Sequence, residues 1–215
     1  RNWEQIRTTI CYNQQKVIIV GFHAGLNVGP DGATHQALED IALTRVLPNL
    51  SVVVPSDYLE ARKAILAAVN YPSSVYLRLA REKFPLITTL ETPFEIGKSQ
   101  VLWLPDEQKG ENFSGITIVS CGFLVCETLM AAKELAEEGI FVTVINNSSI
   151  KPLDEKLILE WAKKSKYFLT VEEHQVRGGM GSAIAEFLSS AQPTLIKFLG
   201  IKDSFGETGQ AEELI

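Results

Sequence analysis

Short apolar runs alternate with amphipathic segments along most of the chain. The apolar runs are rich in β-branched residues, as buried strands are, and the segments between them repeat their apolar positions at the period of a helix. Strands are predicted at residues 16–21, 51–55, 75–80, 98–104, 115–120, 141–145, 167–173 and 194–200. Helices are predicted at residues 3–13, 35–47, 57–70, 123–137, 153–165 and 181–190. Strands that alternate with amphipathic helices favour a mostly parallel sheet covered on both faces, the α/β class.

The alternation breaks at residues 83–96, which contain two prolines and follow no period. We therefore predict a linker there, between a first unit at residues 1–82 and a second at 97–215, each a three-layer α/β/α unit. Residues 105–115 are polar and are predicted to form a hairpin loop. The first unit has only three convincing strands, few for a doubly wound sheet. A missed edge strand would explain this, but we favour a domain that begins upstream of residue 1.

Composition narrows the class of protein. Hydrophobic residues make up 46% and charged residues 21%, as in globular proteins, and the net charge of −6 argues against a nucleic-acid partner. No apolar run approaches the roughly 20 residues that span a bilayer, so we expect no membrane partner. The N-terminus is polar and is not predicted to be a signal peptide. The three cysteines are sparse, which fits a reducing cytosol and predicts a cytoplasmic protein.

The loop GFHAGLNVGPDGATHQALED, residues 21–40, carries the first candidate chemistry. It leaves the carboxyl end of a predicted strand, where loops of parallel sheets hold binding and catalytic groups. His35 falls in the first turn of the predicted helix 35–47, where the helix dipole favours a neutral imidazole that can relay a proton. His23 could donate to an anion, and Asp31 could accept a hydrogen bond or act as a base. The pattern leaves open whether these side chains converge or are merely solvated.

Arg81 follows the predicted strand 75–80 and is expected at the same rim. Its guanidinium could hold a phosphate or carboxylate as a bidentate fork. The alternative is a surface arginine beside Glu82.

The stretch VEEHQVRGGMGSAIAEF, residues 171–187, carries a glycine-rich turn. It departs from the dinucleotide-binding pattern because Ile184 stands where a third glycine or alanine is needed, so we predict a tight strand-to-helix crossover. The preceding acidic pair and His174 alternate between opposite faces of the strand. We interpret them as a rim or interface cluster, and we expect no metal site there.

The loop and its surroundings resemble transketolase, especially the C-terminal section of the enzymes that are split into two polypeptides. GFHAGLNVGPDGATHQALEDIALTRVLPNLSVVVPSD and VYLRLAREKFP resemble the second half of its pyrimidine-binding domain. VTVINNSSIKPLDE, LTVEEHQVRGGMGSAIAEFL and KDSFGETGQAEEL resemble its C-terminal domain, in the family's order. The resemblance covers essentially the whole chain. It implies a partial thiamine-diphosphate pyrimidine-binding fold followed by a transketolase C-terminal-like domain with a mostly parallel sheet.

The resemblance also implies an activity. Transketolases use thiamine diphosphate and Mg²⁺ to move a two-carbon ketol unit between sugar phosphates, in the pentose phosphate pathway. By this resemblance His35 is the catalytic histidine beside the thiazolium. His23 and Arg81 grip the substrate phosphate, and Asp31 reads a donor hydroxyl.

Some family features have no counterpart here, namely the glutamate and aromatic residues around the pyrimidine and the diphosphate- and metal-binding G-D-G motif. We therefore assign no residue to cofactor or metal binding and expect the chain to bind no cofactor tightly and to be inactive alone. The resemblance implies an N-terminal diphosphate-binding section or subunit as partner, and a homodimer.

Other interpretations remain open. Deoxyxylulose-phosphate synthase and the β subunits of two-oxo acid dehydrogenases share the architecture. The chain could instead be a non-catalytic dimerisation or assembly module, or a nucleotide-binding protein that uses GGMGS.

Overall fold

The computed structural model describes residues 1–106 and 111–215, so the centre of the predicted hairpin loop lies outside the described residues. The strands are β1 Ile18–Gly21, β2 Leu50–Val53, β3 Ser74–Arg78, β4 Gln100–Trp103, β5 Phe113–Ser120, β6 Phe141–Asn146, β7 Ser149–Lys151, β8 Tyr167–Gln175 and β9 Leu195–Ile201. The α-helices are α1 Asn2–Gln5, α2 Asp40–Arg45, α3 Tyr58–Asn70, α4 Leu124–Glu137, α5 Glu155–Lys164, α6 Met180–Ala191 and α7 Ala211–Leu214. Helix α1 continues as a π-helix at Ile6–Tyr12, and a 3₁₀ helix occupies Leu26–Asp31.

The strands form two sheets. The first has the order β1-β3-β2-β7 and the second the order β4-β6-β5-β8-β9. Within each sheet the neighbours are parallel except at one edge, where β7 runs antiparallel to β2 and β4 runs antiparallel to β6. The predicted α/β class with mostly parallel sheets is confirmed.

Strand β7 was not predicted, and it changes the picture of the first unit. It lies between β6 and α5 along the chain, yet it pairs with β2 in the first sheet. Its three residues are too few to show a strand period, so the sequence gives no local signal for it. The first sheet therefore gains its fourth strand from the second unit. The expectation that further domain residues lie upstream of residue 1 stays a prediction.

Helices cover both faces of the two sheets. Helix α3 packs Ala64 and Ala68 against Val53, Val75 and Leu77 on one face of the first sheet. On the second sheet, α4 covers one face and α5 with α6 the other. The largest apolar cluster joins residues of both sheets, from β2 and β3 through β5 and β8 to α6. The units thus share one core.

Residues 83–96, all of which the structure describes, form neither helix nor strand. They are nevertheless packed against both units. Asp57, the N-cap of α3, accepts hydrogen bonds from the Ile87 and Thr88 amides at 2.9 and 2.7 Å, and Phe84 stacks on Phe123 at 4.3 Å between ring centroids. The domain boundaries remain predictions. In the part of the chain that the structure describes, the helices all fall short of the length and apolarity needed to cross a bilayer.

Candidate functional site

The candidate loop lies at the carboxyl edge of the first sheet. Strand β1 ends at Gly21 and its neighbour β3 ends at Arg78, and their pairing continues into the loop through the Leu79 amide, which donates to the Gly21 carbonyl at 2.8 Å. Because β1 and β3 are parallel, the chain segments that follow them emerge at the same edge. The loop and Arg81 therefore share one rim.

The segment around His35 is not helical, so that prediction was wrong. Helix α2 begins only at Asp40; residues 33–35 form a turn, Ala37 forms an isolated bridge with Ala24, and residues 38–39 form a bend. The His35 amide donates to the Gly32 carbonyl at 3.0 Å, and the Ala37 carbonyl accepts from the Gly25 amide at 3.0 Å. These bonds fold the loop back on itself instead of forming a first helical turn. The His35 imidazole therefore does not lie in the first turn of a helix, where a dipole would favour its neutral form.

The structure brings Arg81 and Asp31 together. Arg81 Nη1 donates to Asp31 Oδ2 at 3.0 Å and to the Val28 carbonyl at 2.7 Å. The Arg81 amide donates to Asn27 Oδ1 at 2.8 Å, and Nε lies 3.7 Å from the Glu82 carboxylate. The Arg81 and Asp31 side chains are 33% and 47% exposed. An ion pair this exposed contributes little to stability. The same exposure makes both groups accessible to a ligand.

The two loop histidines, His23 and His35, are exposed and, in the described part of the chain, are not bonded to the Arg81–Asp31 pair. His35 Nδ1 shares a hydrogen bond of 3.0 Å with the Thr34 hydroxyl. Within the described residues, neither His23 nor His35 makes a hydrogen bond to Asp31 or Arg81. His23 adopts φ 57°, in the left-handed region that costs free energy for a residue with a side chain. Gln14, Asn49 and Asp203 share this conformation, so the role of His23 stays a prediction.

Beneath the rim lies a buried ionic cluster that sequence reasoning missed. Arg78 Nε donates to the Asp40 carboxylate at 3.0 and 3.1 Å, and its Nη2 donates to the Glu173 carbonyl at 2.9 Å. Asp40 also accepts from the Tyr76 hydroxyl at 2.8 Å. Burial alone lowers the pKa of Arg78, but the adjacent Asp40 and Glu173 carboxylates outweigh it and raise that pKa. An arginine in an otherwise apolar strand was the available signal, since a buried guanidinium requires acidic partners.

Glu173 joins this cluster to the loop. Its Oε1 accepts from the Asn27 amide at 2.5 Å, and both carboxylate oxygens accept from Asn27 Nδ2, at 3.0 and 2.8 Å. Burial raises the pKa of Glu173 to about 7, against the lowering effects of Arg78 and Asn27. The contact links β8 of the second unit to the loop of the first.

The neighbours of Glu173 in β8 are also buried, and they bond to different elements. His174 is buried, and its Nε2 accepts from the Ala42 amide at 3.4 Å while Nδ1 faces the Gln175 carbonyl at 2.7 Å. This pair of bonds fits a neutral ring, and burial lowers the His174 pKa. Glu172 accepts from the amides of Met180 and Gly181 at 2.6 and 2.9 Å. Its carboxylate occupies the N-terminus of α6, where a dinucleotide phosphate would have to bind.

The C-terminal segment 204–211 also packs against the loop. Gln36 Nε2 donates to the Glu207 carbonyl at 2.9 Å. A Cβ added to Gly29 would lie 3.3 Å from the Gly209 carbonyl oxygen, and one added to Gly32 would overlap the Thr208 hydroxyl. This support was not predicted, because nothing in the local sequence links the two segments.

Two cavities flank the loop. One, of about 500 Å³, includes Phe22 and Glu82, the chain neighbours of His23 and Arg81. The other, of about 430 Å³, is bordered by Leu26 and Glu173. Among the residues that the structure describes, no group of three or more His, Cys, Asp or Glu side chains could hold a metal ion. The candidate site thus comprises Arg81 and Asp31, which bond to each other, and His23 and His35, which are exposed on the same loop as Asp31.

This arrangement defines an α/β protein with a polar, glycine-rich crevice at the carboxyl edge of a parallel sheet, the usual place for a small ligand. Comparison with known proteins identifies the family. The family model of the transketolase pyrimidine-binding domain matches residues 1–86, and that of the transketolase C-terminal domain matches residues 109–215. The chain belongs to the transketolase family and corresponds to its C-terminal section. Thiamine diphosphate is the cofactor of the complete enzymes of this family.

Individual relatives agree with this identification. The chain is 40% identical over its whole length to a Methanocaldococcus jannaschii protein provisionally named a transketolase C-terminal section, of which it spans 66%. It is 37% identical, over 93% of its length, to one subunit of an apulose-4-phosphate transketolase from Actinobacillus succinogenes, of which it spans 62%. A solved split-gene transketolase, an inactive β4 tetramer, superposes with a TM-score of 0.88 at 39% identity over 99% of this chain and 65% of that one. The chain thus spans about two thirds of the length of such relatives.

Proposed function

We propose that this chain is part of a split, thiamine-diphosphate-dependent transketolase that moves a two-carbon ketol unit between sugar phosphates. The observation that carries the proposal is the accessible Arg81–Asp31 pair, held on the loop at the carboxyl edge of the first sheet. A guanidinium beside a carboxylate matches a phosphorylated sugar, which presents a dianion and hydroxyl groups on one molecule.

Each candidate residue receives a role that its chemistry permits. Arg81 and His23 bind the substrate phosphate by charge-assisted hydrogen bonds. Asp31 accepts a hydrogen bond from a donor hydroxyl. His35 is exposed on the same loop, and its imidazole moves a proton to or from the reacting carbonyl or hydroxyl group.

The metal-bound diphosphate of the cofactor does not fit the four candidate groups. Two imidazoles, one carboxylate and one guanidinium suit a sugar phosphate, whereas a metal-bound diphosphate requires several oxygen ligands around Mg²⁺. We place the diphosphate of thiamine diphosphate and Mg²⁺ on a complementary, N-terminal diphosphate-binding section. When bound, the cofactor supplies the carbanion chemistry.

The relatives guide the choice of partner and substrate. The apulose-4-phosphate relative is one subunit of its enzyme, which implies a second subunit. The inactive β4 tetramer supports an oligomer that needs this second subunit for activity. We therefore propose that the chain is inactive alone and that it assembles with copies of itself, with a homodimer as the basic unit. The apulose-4-phosphate relative extends the set of sugar phosphates to be tested beyond those of the pentose phosphate pathway.

Reconstitution tests this proposal. The full-length protein is combined with its complementary section, thiamine diphosphate and Mg²⁺, and ketol transfer is measured with several sugar phosphates. The complex is expected to be active and each section alone inactive. Replacement His35→Ala should lower kcat by about 10²- to 10⁴-fold, the usual contribution of a general acid or base. Glu186→Ala, a change in a surface residue of α6, serves as the control and should leave kcat unchanged. Full activity of His35→Ala would refute the role given to His35.

A further inference from the structure

A buried carboxylate of the second unit is bound inside the loop of the first. Glu173 is a β8 residue with a side chain only 4% exposed. Its carboxylate accepts both the backbone amide and the side-chain amide of Asn27, 146 positions away along the chain. Two donors from one residue fix the orientation of the Asn27 side chain as well as the position of its backbone.

The fixed Asn27 side chain in turn holds Arg81. With Nδ2 directed at Glu173 and at the Ala24 carbonyl, Oδ1 of Asn27 faces the other way and accepts the Arg81 amide at 2.8 Å. The next residue, Val28, accepts Arg81 Nη1 at 2.7 Å. The backbone and the guanidinium of Arg81 are therefore both attached to the two-residue segment that Glu173 holds in place.

The loop backbone is shaped around this carboxylate. Gly25 adopts φ 93° and ψ −174°, a conformation essentially restricted to glycine. A Cβ at Gly25 would lie 2.6 Å from Glu173 Oε1 and closer still to Oε2. The carboxylate thus fills the space that a side chain at position 25 would need, and the loop closes over it.

We propose that Glu173 is a positioning residue that acts through Asn27 to hold Arg81 where the phosphate of the substrate binds. This inference rests on the proposed function, since it assumes that Arg81 binds a substrate phosphate. The second unit then contributes to substrate recognition without touching the substrate. Binding of a phosphorylated ketose depends on Glu173, and binding of a hydroxyketone without phosphate does not.

Kinetics in the reconstituted complex distinguish positioning from general stability. Glu173→Ala and Asn27→Ala should each raise KM for a ketose phosphate about tenfold, with little change in kcat and in KM for a non-phosphorylated hydroxyketone. The double variant should be no worse than either single one, because both act through one chain of contacts. Glu173→Gln, whose amide oxygen can still accept from Asn27, should recover most of the lost affinity, and Glu186→Ala should match the wild type. Equal losses on both substrates, or additive losses in the double variant, would overturn the proposal.

Two further readouts separate this proposal from the proposed function. If the wild-type complex is inactive, or if Arg81→Ala leaves KM for the ketose phosphate unchanged, the proposed function fails. The positioning contact is then decided by amide hydrogen exchange on the full chain, which requires no activity. Glu173→Ala, with Asn27→Ala in its place should it not fold, and Glu173→Gln are compared with the wild type at Asn27, Arg81 and Val119, a core residue of β5. Exchange about tenfold faster in Glu173→Ala at Asn27 and Arg81, with Val119 and the Gln variant near wild type, is expected. Unchanged exchange at Arg81 in the alanine variant, or equally fast exchange at all three positions, would overturn the positioning role.

Discussion

Replacement of Gly25 by alanine tests how tightly the loop closes over Glu173. The new Cβ would approach the carboxylate to 2.6 Å at Oε1 and closer at Oε2. The carboxylate has little freedom to move away, because Asn27 and Arg78 hold it. Overpacking of this kind costs about 1–3 kcal/mol. The glycine-only backbone conformation adds about 1–3 kcal/mol for alanine.

Gly139 provides a control for the effect of a positive φ alone. It also has positive φ, 79°, but a Cβ there would meet no atom within 4 Å. Gly139→Ala should therefore lose only the penalty of a positive φ, about 1–2 kcal/mol. Gly25→Ala should lose about 2–6 kcal/mol in total, a large part of the stability of an ordinary domain.

Equilibrium unfolding in urea, followed by tryptophan fluorescence and far-ultraviolet circular dichroism, measures both losses. The midpoint of each variant is compared with the wild type at unchanged slope, which reports stability directly. If Gly25→Ala were no less stable than Gly139→Ala, the carboxylate would be free to move. The tight closure of the loop over Glu173 would then be refuted.

Two further predictions concern the buried charges. Arg78→Leu leaves its two carboxylate partners buried without a cation and should lower the free energy of unfolding in urea by about 3–5 kcal/mol. The control Glu186→Gln changes an exposed ion pair and should lower it by less than about 1 kcal/mol. Similar losses in the two variants would contradict the burial argument. Burial raises the pKa of Glu172 from 4.5 to about 7. Between these pH values the folded protein binds more protons than the unfolded chain. The stabilisation from this group is therefore lost as the pH rises. The free energy of unfolding of the wild type, relative to Glu172→Gln, should fall by about 1–3 kcal/mol from pH 5 to pH 8, and a constant or rising difference would show that the carboxyl is ionised throughout.

The sequence predicted best where local periodicity decides the structure. Helix α4 and strand β5 follow their predicted spans closely. The reason is that the apolar positions of α4 repeat over about a dozen residues and those of β5 over several. The rim shared by Asp31 and Arg81 was predictable from strand ends alone, since parallel strands deliver their following segments to one edge. Their roles in substrate binding remain predictions.

The failures have a common physical cause, namely partners that are distant in the sequence. Residues 35–39 carry helix-compatible side chains, yet the Leu38 carbonyl accepts from the Gln175 amide at 2.9 Å, which ties this non-helical segment to β8. Strand β7 forms only because β2 offers an edge. The bond from Arg78 to Glu173 spans 95 positions. No window of the sequence contains both ends of such contacts, so neither propensity nor spacing reveals them.

The loop at the candidate site is therefore a product of both units. Strands β1 and β3 supply its two ends, but its middle is fixed from the second unit by Glu173 on Asn27, and by Thr208 and Glu207 beside Gly32 and Gln36. A loop with several glycines loses much conformational entropy when it is ordered, and local contacts alone rarely compensate. Contacts from β8 and the C-terminal segment offset the entropy cost that local contacts leave uncompensated. The candidate site residues thus lie in the first unit, whereas Glu173, the buried carboxylate that fixes Asn27, lies in the second.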